Sequence, residues 1–403
     1  MAKFFHGWLV VWAAHLLLAI AFGIAYSFTT LFSHLQSEFS ANRAWIASIF
    51  SAAAFLYYTI GAWAGYLSDK IPPRGLVAAG VISLGLGLAG SSFGNSLGSI
   101  IFIYGLGIGI GVGLIYTPAV RSVQAWFVNL RGRATGLAVT GTGLGTLLAP
   151  ILTSCLLSHY SWREVLRLLA LGVVIIGLPS AYFIESDPRK RGCFPDGIPS
   201  RTTRIDSDRS LTSVTLKQAI RLKSFWLLYA VILLASVGLF VPFVHMVPYV
   251  RDIGLPETTG AMLVGLIGVG NILGRFGLSR LADRIGRHHA LTLFTIGMAA
   301  SLLFWLVAGD IPGLVVFSLI FGAMYGSCVA LYPTVATDRF GARHSGAIIG
   351  FLYTGVGIAA VVGPPIAGLF FDQTHSYHYP ILGSAVLCGC SAWLNVKMNM
   401  LDT

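Results

Sequence analysis

Twelve long apolar runs decide what this chain can fold into. Each is about 20 residues long, the length at which an α-helix crosses the hydrocarbon core of a bilayer. Only 10% of the 403 residues are charged, against roughly 25% in a soluble domain, so we expect an all-α, multi-pass membrane protein. The predicted spans are residues 8–33, 44–68, 75–93, 97–120, 134–158, 165–184, 224–250, 258–280, 289–308, 312–336, 345–371 and 378–396.

The basic residues predict how these spans are oriented. The formal net charge is +11, which in a soluble chain would suggest nucleic acid as a partner. If the N-terminus is cytoplasmic and successive loops alternate in side, the Lys and Arg residues gather on the cytoplasmic side. The exceptions are Arg43, Arg163, Arg167 and Arg251, which fall outside, and Arg275, which falls within a span. The charge therefore predicts a cell (inner) membrane protein with both termini cytoplasmic, surrounded by lipid and not bound to nucleic acid.

An internal repeat divides the chain in two. The segment Leu67-Ser-Asp69-Lys-Ile71 recurs 214 residues later as Leu281-Ala-Asp283-Arg-Ile285. Pairs at nearly the same offset are Gly107 and Gly322, Gly111 and Gly326, Pro118 and Pro333, Gly136 and Gly350, and Pro150 and Pro364. We predict an N-terminal six-helix half at 1–184, a cytoplasmic linker at 185–223 that ends in a short surface helix, and a C-terminal six-helix half at 224–403. Two parallel six-helix repeats with a substrate site between them are the geometry of the major facilitator fold.

The repeated segment also resembles the loop signature of the major facilitator superfamily, Gly-x-Leu-x-Asp-(Arg/Lys)-x-Gly-(Arg/Lys). The first copy begins at Gly65 and the second at Ser279. In the family, the acidic and basic residues of this motif latch the cytoplasmic side in the outward-facing state. The resemblance implies a gating role for Asp69, Arg74, Asp283, Arg284 and Arg287. A solvated turn is the simpler alternative.

Several segments resemble the monocarboxylate transporter family, particularly its bacterial branch. Residues 6–8 (His-Gly-Trp) are similar to the entry motif of the first span, with His in place of an acid, and residues 126–141 resemble the motif that leads into the fifth span. Asn271-Ile-Leu-Gly-Arg275 falls on the family's intramembrane arginine. Better-known animal members have an aspartate in place of Asn271 and a lysine in span one, where this chain has no Lys, Arg, Asp or Glu. The proton-handling roles of those two residues therefore do not transfer.

Arg275 is the one charge placed deep within a predicted span. A charged side chain at this depth costs at least ~2.5–3.5 kcal/mol on insertion scales. Arg275 lies eight residues before Asp283, and the repeat aligns it with Gly61. Because no Asp or Glu lies in the interior of any predicted span, we expect a substrate carboxylate to complete the charge pair, and one cation favours a monocarboxylate. Snorkelling of the side chain to the cytoplasmic interface is the alternative.

Five further side chains are candidates for substrate binding or proton transfer. Asn271 is one helical turn before Arg275 on the same face, and it is expected to orient the guanidinium or to bind substrate. His245 lies between two prolines in span seven, where we expect a local distortion to open a cavity; histidine suits proton transfer near neutral pH. A neutral, hydrogen-bonded core histidine is the alternative. The remaining substrate-binding candidates, which are equally consistent with packing, are Tyr116, Tyr325 and Tyr353.

These features favour proton-coupled symport of a small monocarboxylate such as lactate or pyruvate by alternating access, with a monomer as the functional unit. An organic-anion exchanger of the oxalate–formate type is the alternative. A non-transporting membrane sensor is disfavoured because the spans leave only one short loop for a signalling domain. We expect neither an enzyme nor a cofactor or metal site, since no nucleophile–base pair, metal-ligand spacing or phosphate-binding loop occurs in the sequence.

Overall fold

Helices make up all the regular structure of the described part of the chain. The computed structural model describes residues 5–68, 70–197, 214–341 and 344–400. The α-helices are α1 (His6–Phe39), α2 (Arg43–Leu67), α3 (Pro73–Ser91), α4 (Leu97–Trp126), α5 (Arg131–Leu157), α6 (Trp162–Tyr182), α7 (Leu216–Ala219), α8 (Lys223–Asp252), α9 (Glu257–Ile285), α10 (Arg287–Trp305), α11 (Ile311–Phe340), α12 (Ser345–Thr374) and α13 (His378–Met400). Two short 3-10 helices follow α6, at Pro188–Arg191 and Pro195–Gly197.

Twelve of the described helices, all except the short α7, are long and apolar enough to cross a membrane. They coincide with the twelve predicted spans, so the predicted all-α, twelve-span architecture is confirmed. Several helices extend beyond the predicted limits; α1 continues to Phe39 and α11 to Phe340. The reason is that hydropathy marks only the segment within hydrocarbon, whereas helical hydrogen bonding continues through the polar interface.

The short helix predicted at the end of the linker is present as α7. Thr215 and Gln218 cap it reciprocally: the Thr215 hydroxyl accepts from the N–H of Gln218, and the Gln218 side-chain oxygen accepts from the N–H of Thr215 at 2.9 Å. Just before it, the N–H of Val214 donates to the carbonyl of Phe340 at 2.9 Å. This end of the linker is therefore attached to the end of α11.

The same helix pairs form among the first six spans and the last six. α1 packs on α5 as α8 packs on α12, and α2 packs on α4 as α9 packs on α11. Similarly, α3 contacts α4 and α6 as α10 contacts α11 and α13. Such a pattern is expected of two parallel structural repeats. We refer to α1–α6 and α8–α13 as the first and second helix groups; the domain boundaries at residues 184 and 223 stay a prediction.

The two helix groups meet along α2 and α12, along α5 and α9, and between α1 and α8. Small residues bring α5 and α9 close together: a Cβ at Gly143 would lie 2.8 Å from the carbonyl oxygen of Gly268. Glycine at both positions therefore lets the two backbones touch. We call the end of the bundle where α1 begins and α13 ends the terminal face, and the other end the distal face.

Candidate substrate site

Arg275 lies in the membrane-spanning part of α9, about 15 Å along the helix from its end at Ile285. Its Nε donates a hydrogen bond to Oδ1 of Asn271 at 2.8 Å. Asn271 is one turn nearer the distal face, so the guanidinium is directed back along α9 toward the centre of the bundle. This hydrogen bond is directed away from the terminal face, which disfavours the alternative of snorkelling. Asn271 is buried and Arg275 is half-buried.

Close packing of α9 on α11 holds Asn271 in place. A Cβ at Gly326 would lie 2.8 Å from the backbone oxygen of Asn271 and 3.0 Å from its Cγ. One turn along α9, Gly274 packs in the same way on the backbone of Ala323. Glycine is required where α9 and α11 touch. Gly326 and Gly274 therefore help to fix the position of the Asn271 side chain, whose amide orients Arg275.

The three predicted tyrosines converge on Arg275 from separate helices. Tyr116 of α4, Tyr325 of α11 and Tyr353 of α12 all lie within electrostatic range of the guanidinium. Tyr325 also lies against the side chain of Asn271. All five predicted substrate-binding residues are thus brought together between the two helix groups. Their role in binding stays a prediction.

Aromatic residues of α1 and α8 close this cluster on its distal side. Tyr26 stacks on Phe243 with ring centroids 4.2 Å apart and planes inclined by 20°. Phe243 in turn meets Tyr325 edge-on at 5.4 Å. Sequence reasoning missed Tyr26 and Phe243, and a single sequence gives no signal for them, because their contact depends on how two distant helices cross.

Two adjacent tyrosines of α2, Tyr57 and Tyr58, add to the aromatic residues around the Arg275 cluster. Their rings lie 4.5 Å apart, and Tyr58 approaches Tyr353 at 6.2 Å. Sequence reasoning missed these residues as well, although a signal was present. The internal repeat that aligns Gly61 with Arg275 also aligns Tyr57 with Asn271.

This arrangement suits a small anion with a short hydrocarbon body. A guanidinium presents parallel N–H donors that match the two oxygens of a carboxylate. Phenol hydroxyls can donate or accept further hydrogen bonds, and aromatic ring faces bury apolar groups. Among the described residues, no three His, Cys, Asp or Glu side chains are placed to hold a metal ion together.

A second polar cluster joins the helix groups at the distal face. Arg43 at the start of α2 forms an ion pair with Asp252 at the end of α8 through two contacts of 2.6 and 2.7 Å. Arg43 also donates to the hydroxyl of Tyr377 at 2.7 Å and lies 3.7 Å above the ring of Phe371. The carboxylate of Asp372 accepts the N–H groups at the start of α2. We call these residues the distal network.

His245 belongs to the distal network rather than to the Arg275 cluster. It is fully buried; its Nε2 lies 2.8 Å from the carbonyl of Pro364 and its Nδ1 lies 3.0 Å from the hydroxyl of Tyr377. Because a carbonyl only accepts, Nε2 carries the proton and Nδ1 accepts from Tyr377 in the neutral ring. The expected distortion of α8 is not observed in the described residues, since the helix continues through both of its prolines and the His245 ring is fully buried. A role in proton coupling stays a prediction.

The predicted gating residues occupy the terminal face. Arg74 lies 3.9 Å from the carboxylate of Glu185 and 4.7 Å from the ring of Tyr182. Arg287 forms an ion pair with Asp338 at 2.6 Å. The Arg287–Asp338 pair lies within the second helix group, whereas Arg74 of the first group contacts the first residue of the predicted linker. Asp283 and Arg284 are exposed at the end of α9, and Asp69 lies outside the described residues.

Within the described residues, twelve apolar helices form two similarly packed groups, and polar side chains converge where the groups meet. This is the architecture of a multi-pass membrane transporter. The family profile of the Major Facilitator Superfamily matches residues 11–351, with a second match at 268–398. The chain therefore belongs to the Major Facilitator Superfamily. This membership agrees with the prediction that the protein is a transporter and not an enzyme.

Similar proteins include three named monocarboxylate transporters. Monocarboxylate transporter 12-B of Danio rerio is 27% identical over 395 residues, covering 92% of this chain and 82% of that protein. Monocarboxylate transporter 13 of Bos taurus is 29% identical over 394 residues, covering 95% and 87%. Monocarboxylate transporter 12 of Homo sapiens is 28% identical over 410 residues, covering 96% and 78%. The resemblance to the monocarboxylate transporter family is thus confirmed.

Proposed function

We propose that this protein is a proton-coupled symporter of small monocarboxylates, of the size of lactate or pyruvate. It works by alternating access as a monomer in the cell membrane, with both termini cytoplasmic. The observation that carries the proposal is the Arg275–Asn271 pair, joined at 2.8 Å within a ring of tyrosines. The relatives that are named monocarboxylate transporters support the same substrate class.

Substrate recognition rests on Arg275 and its neighbours. The guanidinium binds both oxygens of the substrate carboxylate, and Asn271 holds the guanidinium in the orientation that this requires. The phenols of Tyr116, Tyr325 and Tyr353 bound the space around the short carbon chain. A single cation matches a single carboxylate, whereas a dicarboxylate would call for a second cation. Arg275 therefore selects the charge of the substrate, and the tyrosines select its size.

Opening of the distal face requires the distal network to separate. Substrate binding neutralises Arg275, which lowers the cost of enclosing this charge while the helix groups rearrange. Arg43 and Asp252 then exchange their mutual contacts for water. At the terminal face, Asp283 and Arg284 are available to latch the groups when the distal face is open. Parallel six-helix repeats rock in this way around a central site.

The proton is carried by His245 or by the substrate carboxyl itself. Protonation of His245 would place a hydrogen on Nδ1, so the ring would no longer accept from Tyr377. The same hydroxyl accepts from Arg43, and proton binding would thus bring two positive charges to one phenol. This weakens the distal network and couples protonation to opening of the distal face.

The proposal is tested by measuring uptake of labelled lactate into liposomes that contain the purified protein. Uptake is compared with and without a proton gradient directed into the liposome. We expect Arg275→Ala to abolish uptake and Arg275→Lys to reduce it at least about tenfold, because lysine cannot form the bidentate contact. Arg280→Ala is the matched control, since Arg280 is an exposed arginine on the same helix. Normal uptake by Arg275→Ala would refute carboxylate binding. Uptake that needs internal anion but ignores the pH gradient would establish exchange instead of symport.

A further inference from the structure

A carboxylate of the second helix group holds the start of α2, which belongs to the first group. Asp372, near the end of α12, accepts hydrogen bonds from the N–H groups of Arg43 at 3.0 Å and Ala44 at 3.1 Å. The first N–H groups of a helix have no partner within it, so a carboxylate there stabilises the helix end by hydrogen bonding and by its charge. We call this contact the cross-group cap.

The start of α2 also has a cap of its own. Asn42, directly before the helix, accepts a hydrogen bond from the N–H of Trp45 at 3.0 Å through its side-chain oxygen. The additional cap from Asp372 stabilises the conformation in which α2 and α12 touch, and it is lost when they part. A cap within one helix group, in contrast, stays in place when the two groups move as units. The cross-group cap therefore acts on the conformation of the bundle rather than on the formation of α2.

Close packing of α12 on α2 places Asp372 at the start of α2. Gly368 lies one turn before Asp372, and a Cβ at Gly368 would lie 2.6 Å from the backbone nitrogen of Ala44. The two backbones can touch here because Gly368 has no side chain. Further along the same helices, the hydroxyl of Ser51 donates to the carbonyl of Ala360 at 2.7 Å. We call this region of contact the α2–α12 junction.

The internal repeat provides an equivalent junction for comparison. With the offset of 214 residues, Asp372 aligns with Ser158, and Gly368 aligns with Ser154. The start of α2 aligns with the start of α9 in the same way. The second junction is therefore formed by α5 and α9, which also join the two helix groups.

The α5–α9 junction has no counterpart of the cross-group cap among the described residues. The hydroxyl of Ser158 donates to the carbonyl of Cys155 at 2.7 Å, at the end of α5 itself. Pro256, the N-cap residue of α9, provides no side-chain cap. A cavity of about 200 Å³ is present where Ser154 and Ser158 face the start of α9. One of two equivalent junctions is thus closed by a carboxylate, and the other is not.

We propose that Asp372 is a positioning residue for alternating access: its carboxylate keeps the distal face closed by capping α2 from the opposite helix group. Each opening of the distal face breaks this cap, so the cap sets how often the face opens. The inference rests on the proposed function, since it requires alternating access, but it does not depend on the identity of the substrate or of the proton carrier. It adds to the Arg43–Asp252 pair a second contact, made by the backbone of α2.

Distance measurements between two spin labels test the proposal without a transport assay. Asn95, between α3 and α4, and Tyr379, near the start of α13, are exposed at the distal face on different helix groups. Labels at Asn95→Cys and Tyr379→Cys, in the full-length protein in nanodiscs without substrate, report the ratio of open to closed distal face. The background carries Ala in place of Cys155, Cys193 and Cys390, which are exposed or half-exposed.

Removing the carboxylate should open the distal face. Asp372→Ala should raise the ratio of open to closed molecules about tenfold, which is the effect of losing one helix cap. Asp372→Asn should keep the face closed, because an amide oxygen caps a helix about as well as a carboxylate does. Asp310→Ala is the matched control: Asp310 caps the start of α11 by accepting from the N–H of Gly313 at 3.0 Å, and both residues belong to the second helix group. Its ratio should stay unchanged.

A further variant installs the missing cap at the second junction. Ser158→Asn places a side-chain oxygen beside the start of α9, and in the Asp372→Ala background it should return the ratio toward that of the unmodified protein. Failure to do so would overturn the equivalence of the two junctions. An unchanged ratio in Asp372→Ala, an equal rise in Asp310→Ala, or an Asp372→Asn variant that opens as readily as Asp372→Ala would overturn the proposal. Lactate uptake that survives Arg275→Ala would refute the proposed function instead, so the two failures are distinguishable.

Discussion

Arg43 and Asp252 form a two-pronged ion pair that joins the first helix group to the second at the distal face. Their nitrogen–oxygen distances are 2.6 and 2.7 Å. The Arg43 side chain is only 5% exposed, whereas that of Asp252 is 27% exposed. A buried charge that loses its partner is left uncompensated, which is strongly unfavourable. The pair therefore stabilises the contact between the two helix groups at the distal face, and the proposed alternating access requires its two side chains to separate.

Replacing Arg43 should weaken the closed distal face. We expect Arg43→Gln to destabilise the purified protein by about 3 kcal/mol, since Asp252 and Tyr377 lose the same partner, and to lower its thermal unfolding temperature. Arg163→Gln is the matched control, because Arg163 pairs with Glu38 at 2.7 Å on the same face but within the first helix group. That exposed pair should contribute no more than about 1 kcal/mol. Equal shifts in the two variants would contradict a special role for Arg43.

Changing Asn271 to Asp should make substrate affinity depend on pH. A carboxylate in place of the Asn271 amide would pair with Arg275 and compete with the substrate for the guanidinium. Protonation of the new Asp removes this competition, so the KM for lactate should fall as the pH is lowered and rise as the pH is raised. Asn271→Ala, which removes the amide without adding charge, should raise KM with little added pH dependence. The test is to measure KM for lactate as a function of pH in both variants and in the unmodified protein. Parallel profiles would refute competition between the introduced carboxylate and the substrate.

Gly326 should not tolerate a methyl group. A Cβ at this position would lie 2.8 Å from the backbone oxygen of Asn271, and α9 would have to move away from α11. We expect Gly326→Ala to cost about 1–3 kcal/mol of stability, as overpacking does, and to reduce lactate uptake because Asn271 is displaced. Gly277→Ala is the control on α9, since a Cβ there meets nothing within 4 Å. A normal unfolding temperature and normal uptake in Gly326→Ala would show that the two helices adapt.

The helices and the candidate site follow from the sequence to different extents. Apolar runs predict spanning helices because the bilayer imposes a length and requires internal hydrogen bonding. The depth of Arg275 and its contact with Asn271 follow as well, since both residues lie on one helix with a regular rise. The glycine pattern that recurs in α4 and α11 predicts close packing, and Gly326 packs on Asn271 as that pattern indicates.

Contacts between distant helices are not predictable from one sequence. The stack of Tyr26 on Phe243 and the pair of Arg43 and Asp252 depend on how two helix groups dock, and neither has a local signature. The expectation that the prolines beside His245 distort α8 was wrong. They remain within one continuous helix, and Pro364 of α12 supplies the carbonyl that bonds the imidazole.

His245 offers the sharpest test of proton coupling. Glutamine at this position can donate to the carbonyl of Pro364 and accept from Tyr377, but it cannot take up a proton. We therefore expect His245→Gln to retain lactate exchange between the two sides of a liposome and to lose accumulation driven by a pH gradient. His15→Gln is the matched control: His15 is also buried, and its Nδ1 lies 2.8 Å from the carbonyl of Leu137. Accumulation by His245→Gln at the level of the control would show that the proton travels on the substrate carboxyl. Loss of both exchange and accumulation would instead indicate that His245 serves to hold the distal network together.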